Sequence, residues 1–232
     1  MSDNSNEYQA VSCDFYDHIE ILALRKAWVC LEYSHEGESV IEITRLQTTK
    51  TEDIAEYAIT EDHREIRMDL LKCITPLNPA IDLRVNLLEK LEYNHWANQK
   101  LLEHLKELND YPSNIELRIS HIINAHDIWN RRILQMSQRF GIWELSSPED
   151  WRPLFCHVNI ETNKILKQGQ LEKMVSYEST KGDLYRSSIA DIVFHLINHG
   201  TYHRGQISDL LSSSGIEALP TDYILFSRLK SY

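Results

Sequence analysis

Three histidines recur at intervals of four residues in the segment HLINHGTYHRGQ, which spans residues 195–206. An α-helix advances by about 100° per residue, so in a helix His195, His199 and His203 each turn by only about 40° from the one before. They would then form one stripe. Two imidazoles four residues apart on a helix can bind the same cation, as they do in zinc peptidases. The spacing of His199 and His203 is that of a metal-binding pair.

A second segment with histidines, LRISHIINAHDIWNRRIL, offers a third ligand. His121 and His126 are about 140° apart on a helix, so only one of them can face the same interior. At helical spacing His121 shares a face with Asn124 and Ile128. We therefore expect His121 to point inward and His126 to lie on the flank or behind the ligands.

The pattern also limits the chemistry. The last two histidines stand in HGTYH rather than HExxH, so the general-base chemistry of zincins is not supported. Three imidazoles without a carboxylate leave positions on a divalent ion open to water or substrate. Because the chain has 11 histidines, a chance pair of stacked or surface histidines is the alternative.

The helices that must position these histidines belong to the second half of the chain. Asn78 followed by Pro79 fits a helix start. Ser188 and Asp191 fit a capping box, and Gly215 fits a helix stop. The segment MVSYESTKGDLYRSS predicts a short hairpin before the last helix. The four long helices are predicted at about residues 79–109, 115–139, 152–172 and 188–213. They predict an all-α, up-down four-helix bundle with a site in its core.

The first half of the chain has a different pattern. A short amphipathic stretch, DFYDHIEILALRK, precedes four β-like runs: AWVCLEY, SVIEITRLQTT, IAEYAIT and EIRMDLLKCI. The last run alternates apolar and polar residues, and HEGES between the first two predicts a hairpin turn. The period changes at TPLNPA. We predict two domains, residues 1–78 and 79–232, the first a small α+β, β-barrel-like domain with an N-terminal helix.

Composition excludes several classes of protein. A net charge of −11 disfavours direct binding to nucleic acid, because phosphate contacts need clustered Lys and Arg. The start MSDNSNEY is not a signal peptide, and no apolar run reaches the roughly 18 residues of a membrane span. The four cysteines include no C-x-x-C pair, which disfavours disulfides and a thiolate zinc site. We expect a cytoplasmic protein that does not bind membranes.

The second half resembles the DinB family of metal-binding four-helix-bundle proteins. The segments YNHWANQKLLEHL, HIINAHDIWNRRI, HLINHGTYHRGQISDLL and PTDYILF carry the resemblance, which covers about residues 81–230. It implies that His121, His199 and His203 bind a divalent metal, commonly zinc, nickel or iron. It also makes a homodimer possible, because related bundles are often dimers.

Other residues of the same motifs are candidates for the surroundings of the ion. These candidates for positions behind the ligands or at the mouth of a pocket are His195, His126, Trp129, Tyr202 and Arg204. Core packing is the alternative for the aromatic residues, and hydrogen bonding between helices is the alternative for Arg204.

The first half resembles the Rof proteins, which bind and inhibit the transcription terminator Rho. YQAVSCDFYDHIE and EYAITEDHREIRMDLL carry this resemblance over about residues 7–75, although TTKTED and ITEDHR lack the glycine expected in a turn. Residues 1–78 contain 16 acidic and 7 basic residues. Asp14, Asp17 and Glu20 could dock on a positively charged RNA-binding surface; solubility alone is the alternative reason for this charge.

The two resemblances imply two functions from different classes. In the first, the bundle is a metal-dependent transferase that acts on a small thiol and an electrophile, or a hydrolase in which the metal activates water. In the second, the protein regulates Rho-dependent termination, and its bundle is structural or senses metal without turnover. A third hypothesis is a metal-stabilised bundle that only dimerises.

Overall fold

The computed structural model describes residues 8–78, 82–108, 110–179 and 181–230. The chain divides into two compact units, one up to Val85 and one from Asn86 onward. The first contains a β-sheet, and the second is helical. Each unit is described by itself.

The described residues of the first unit form one complete helix and five antiparallel strands. The sheet order is β4-β3-β2-β1-β5. The long strand β2 pairs with β1 up to Arg45 and with β3 from Leu46 onward. The elements are α1 Cys13–Leu24, β1 Trp28–His35, β2 Glu38–Glu52, β3 Ala55–Thr60, β4 Glu65–Arg67 and β5 Leu71–Pro76.

The segment EIRMDLLKCI is not one strand, and that prediction was wrong. A single 3-10 turn, Met68–Leu70, separates β4 from β5, and Met68 is buried in the core. The two strands pair at opposite edges of the sheet. Because three residues span at most about 10 Å, the sheet must curl until its edges approach each other.

Residues with a left-handed backbone conformation form the turns of this sheet. Glu36 and Gly37 have φ of 51° and 84°, which is the pattern of a two-residue type I′ hairpin. In TTKTED and ITEDHR the residues Asp53 and His63 have φ of 53° and 63°. Asp and His tolerate this region better than most residues, so these turns form without glycine.

Where the structure describes it, the helical unit contains four long helices, a hairpin and a short final helix. In the part of the chain that the structure describes, no helix is long and apolar enough to span a membrane. The elements are α2 Leu83–Glu107, α3 Asn114–Leu134, α4 Pro148–Gln168, β6 Met174–Glu178, β7 Leu184–Ser188, α5 Ile189–Ser213 and α6 Tyr223–Leu229.

The ends of α5 and the hairpin before it are confirmed. The Ser188 side chain accepts a hydrogen bond from the Asp191 backbone N–H, and Gly215 has φ of 75° just after the helix. Strands β6 and β7 pair antiparallel, with Tyr177 opposite Tyr185. The local capping and turn signals were therefore sufficient here.

Three predicted helix boundaries were wrong. Helix α2 begins at Leu83 rather than 79, and Asp82 accepts a hydrogen bond from a backbone N–H in its first turn; Pro79 lies outside the described residues. Helix α3 ends at Leu134 rather than 139, because Gln135 is left-handed with φ of 55°. Helix α4 is about four residues earlier than predicted, since Pro148 occupies its first turn.

The apolar faces of α2, α3, α4 and α5 meet in one core. Isoleucines of α3 and the aromatic side chains of α4 fill its centre. The fully or almost fully buried members include Leu101, Leu105, Ile115, Ile119, Ile123, Trp151, Phe155, Ile207 and Leu211.

A buried arginine ties α5 to α2. Arg204, 3% exposed, donates hydrogen bonds to Oδ1 of Asn94 (2.7 Å) and of Asn98 (2.8 Å) and to Thr201 Oγ1 (3.0 Å). A buried charge is tolerated only when such bonds replace its hydration. Gly200 makes room for this contact, because a Cβ there would lie 2.5 Å from Asn94 Oδ1.

We predict that Gly200→Ala destabilises the protein by about 1–2 kcal/mol, because the new methyl group must displace a buried amide that is bonded to Arg204. The matched control is Gly205→Ala on the same helix, where a Cβ meets nothing within 4 Å. That variant should gain up to about 1 kcal/mol from helix propensity. Urea unfolding of both variants measures the difference, and equal effects would contradict the steric account.

Candidate metal centre

Three histidines from two helices converge. His121 lies on α3, and His199 and His203 lie on α5. One nitrogen from each ring lies within 4.8 Å of the others, and the rings of His121 and His203 are 4.6 Å apart. The spacing of four residues places both α5 imidazoles on one helix face, and the packing of α3 against α5 brings the third ring opposite. We refer to these residues as the histidine cluster.

Hydrogen bonds fix the ring tautomers of two cluster members. His121 Nδ1 lies 3.1 Å from the carbonyl oxygen of Ile142, and His203 Nδ1 lies 2.9 Å from Gln206 Oε1. Because both partners are acceptors, each Nδ1 carries the proton and each Nε2 keeps a free lone pair. This arrangement is the usual one for histidines that bind a metal through Nε2.

The spacing of the donor atoms fits a metal ion. The Nε2 atoms of His199 and His203 are 3.1 Å apart. Metal–nitrogen bonds of about 2.0–2.1 Å place two tetrahedral ligands roughly 3.3 Å from each other. Two facing lone pairs at this distance repel unless a proton or a cation lies between them. Three imidazoles suit zinc, nickel or iron.

Burial keeps these imidazoles neutral. Burial, and to a smaller extent the neighbouring His203 and His121, lower the pKa of His199 to about 3. Burial also lowers the pKa of His121 and of His203. A neutral ring is the form that donates an electron pair to a metal.

The loop of residues 135–147 holds His121 in place. Trp143 stacks on the His121 ring with centroids 3.8 Å apart and an angle of 9°. Asn124 on α3 donates to the carbonyl oxygens of Gly141 (3.0 Å) and Glu144 (2.7 Å). The sequence prediction missed Trp143, since it extended α3 through the first part of this loop. No glycine or proline marks the true end of α3, because Gln135 adopts the left-handed conformation that ends it.

Three other predicted residues lie around the histidine cluster. His195, exposed, continues the stripe with its ring 5.6 Å from that of His199. Trp129 packs edge-on against His195 at 5.4 Å and against Tyr177 at 4.8 Å. Tyr202 is 63% exposed and contacts His203 from outside at 5.1 Å.

A cavity of about 370 Å³ adjoins the histidine cluster. It lies between α3, the loop, α5 and the β6–β7 hairpin, all within the helical unit. Its lining residues are His121, Ala125, Ile128, Trp129, Arg132, Ile142, Tyr177, Ser179, Tyr185 and His199. A larger groove of about 670 Å³ near the end of α3 has no histidine or cysteine among its described lining residues.

His126 and Arg204 face away from the histidine cluster. His126 is buried, with its Nε2 2.7 Å from Thr162 Oγ1, and that hydroxyl donates to Asn130 Oδ1 at 2.8 Å. The hydroxyl has one proton, so His126 Nε2–H must donate to it. Arg204 faces α2, as described above. Both belong to polar contacts between helices.

The acidic residues singled out in the first unit lie on α1. Asp14, Asp17 and Glu20 are exposed and three residues apart. The opposite side of α1 buries Ile19 and Leu22 in the core of the sheet. The three carboxylates therefore share the solvent side of the helix.

Comparison with known proteins covers the helical unit. The model of the DinB family matches residues 83–231. The chain is similar to Protein DinB of Bacillus subtilis (strain 168), with 28% identity over 157 residues, which cover 58% of this chain and 90% of the relative. The histidine cluster and the whole adjoining cavity lie inside the matched region.

Because His126 is buried, we predict that the protein loses stability in acid. Burial lowers its pKa to about 4, against about 6.5 when unfolded. The His126 imidazole therefore binds a proton more tightly in the unfolded chain than in the folded one. Its contribution to stability is complete above pH 6.5 and is lost as the pH falls toward 4. Between pH 7.5 and pH 5 we expect a loss of about 2 kcal/mol from this residue.

Urea unfolding of the wild type and of His126→Gln at the two pH values isolates this contribution. The variant should lose less stability on acidification, by that same amount, because glutamine does not titrate. An identical pH dependence in both proteins would show that His126 is already protonated or solvated in the native state.

Proposed function

The chain belongs to the DinB family, and we propose that its helical unit is a four-helix bundle that binds a divalent metal and transfers small thiols to electrophiles. The observation that carries the proposal is the histidine cluster, with donor nitrogens within 4.8 Å of one another. Two of its rings have tautomers that leave Nε2 free. His121, His199 and His203 would hold the ion, which we propose to be zinc, nickel or iron.

The lining of the cavity favours thiol transfer over hydrolysis. A bound divalent metal lowers the pKa of a thiol that reaches it. The resulting thiolate would bond to an electrophilic carbon, the leaving group would depart with its bonding electrons, and the thiol proton would pass to solvent. This reaction needs no carboxylate base, and within the described residues no Asp or Glu lines the cavity. A hydrolase remains the alternative reaction for the same site.

The chain's own residues have two tasks in this proposal. Ile142 and Gln206 orient the rings of His121 and His203 through Nδ1. The aromatic side chains of Trp129 and Tyr177 form an apolar wall that limits the access of water to the cavity.

The first test is the metal content of the purified protein. We expect about one ion per chain in the wild type, and a loss of at least about tenfold in metal affinity in His199→Ala or His203→Ala, because each substitution removes a ligand. Elemental analysis measures the metal content. Thermal unfolding with and without a chelator measures the stability that the metal adds, since a metal that binds the native state raises its stability. The matched control is His126→Gln, a buried histidine outside the cluster that should keep the metal. Full metal content in His203→Ala would refute the ligand assignment.

We also propose, as a second function, that the first unit binds the terminator Rho, with the bundle structural or metal-sensing. The supporting observation is the exposed acidic side of α1, which complements a basic, RNA-binding surface. The homodimer stays a prediction from the sequence.

Neutralising two of these carboxylates tests the second function. The double variant Asp14→Asn, Asp17→Asn of the full chain should bind purified Rho several-fold more weakly at low salt, since complementary charge is lost. The control, Glu36→Gln with Glu38→Gln, removes the same charge at the exposed β1–β2 turn. Absence of binding by the wild-type chain in a pull-down would remove this function.

A further inference from the structure

An arginine that forms no ion pair with any described carboxylate lines the cavity beside the histidine cluster. The Arg132 guanidinium lies over the ring of Trp129 at 4.4 Å and near that of Tyr177 at 5.0 Å. It donates one hydrogen bond, to the carbonyl oxygen of Glu178 at 3.1 Å. Within the described part of the chain no carboxylate forms an ion pair with it.

The neighbouring arginines differ in this respect. Arg139 forms an ion pair with the buried Asp127, and Arg131 lies 3.8 Å from the same carboxylate. Burial lowers the pKa of Arg132, and only the Tyr177 side chain opposes this effect. A partly buried cation without an anion costs free energy, and a guanidinium has five N–H donors. Arg132 therefore has donors left for a carboxylate that enters the cavity.

The rest of the cavity defines the shape of a suitable ligand. His121 and His199 lie at one end, and Arg132 lies eleven residues further along α3. At about 1.5 Å per residue, the backbones of His121 and Arg132 are roughly 16 Å apart along α3. The long Arg132 side chain leans back by about one turn toward the N-terminus, so roughly 10 Å separate its guanidinium from the histidine end of the cavity. Aromatic and apolar side chains line the space between them. A volume of about 370 Å³ suits a small molecule.

We propose that the cavity selects thiols that carry a carboxylate, with the sulfur at the histidine cluster and the carboxylate paired with Arg132. The inference rests on the proposed function, because it places the sulfur where the metal would bind. It adds the substrate class and the residue that selects it. A carboxylate about six bonds from the sulfur fits the length available between the two ends.

The rival role of Arg132 is structural. Its hydrogen bond to the Glu178 carbonyl and its contact with Tyr177 also attach the β6–β7 hairpin to α3. Loss of this attachment would weaken the binding of every ligand in the cavity. Selection of a carboxylate, in contrast, changes only the binding of the charged ligand.

Two probes of equal length separate these roles. Isothermal titration calorimetry of the full chain loaded with one equivalent of Zn²⁺ compares 6-mercaptohexanoate with 6-mercaptohexan-1-ol. In the wild type we expect the acid to bind about tenfold more tightly than the alcohol, as for a charge-assisted hydrogen-bonded pair. In Arg132→Gln the two dissociation constants should become nearly equal, with that of the alcohol unchanged.

The control is Arg186→Gln on β7. Arg186 is exposed and next to Tyr185, so by strand alternation it lies on the opposite side of the hairpin from the cavity. This variant removes the same charge and should keep the tenfold preference.

Each remaining outcome decides between the two proposals. If the wild type binds zinc but binds both probes with equal affinity, the carboxylate selection is overturned and the metal-dependent function stays in place. An equal loss of affinity for both probes in Arg132→Gln would assign Arg132 a structural role only. Failure of the wild type to bind zinc, measured by elemental analysis, would overturn the proposed function and this inference with it.

Discussion

The packing of α3 against α5 is the interaction on which the candidate site depends. It is the contact that brings His121 to the pair His199 and His203. Apolar burial provides the attraction, through side chains such as Ile123 and Ile207 in the shared core. Such burial is not directional, so it does not by itself choose how each helix is rotated about its axis.

Buried polar contacts fix the rotation of each helix. Arg204 can bond to Asn94 and Asn98 in only one rotation of α5. In the same way His126 and Asn130 reach Thr162 in only one rotation of α3. Each contact would cost free energy if it were broken inside the protein. The histidine cluster is therefore positioned by contacts on the far sides of its own helices, before any ion binds, which is what a preorganised site requires.

Local signals in the sequence were enough for part of this structure. The four-residue period located the histidine pair, and the Ser188 cap located the start of α5. The break of EIRMDLLKCI at Met68–Leu70 was missed because pairing at opposite edges of the sheet decides it. The start of α2 at Leu83 was missed although its signal is local, since Asp82 accepts a backbone hydrogen bond in the first turn. The stacking of Trp143 on His121 and the contact of Arg132 with Tyr177 join residues far apart in the chain. Propensity and spacing carry no information on such pairs.

Gly200 also restricts how this site can change during evolution. In the sequence HGTYH it occupies the position that holds the glutamate of an HExxH motif. A single codon change could introduce an acidic residue there, but any side chain at this position would meet Asn94 across the helix interface. The glutamate would also begin on the side of α5 that carries Arg204, away from the cluster. Helix packing therefore closes the shortest mutational route from this site to a zincin-like peptidase.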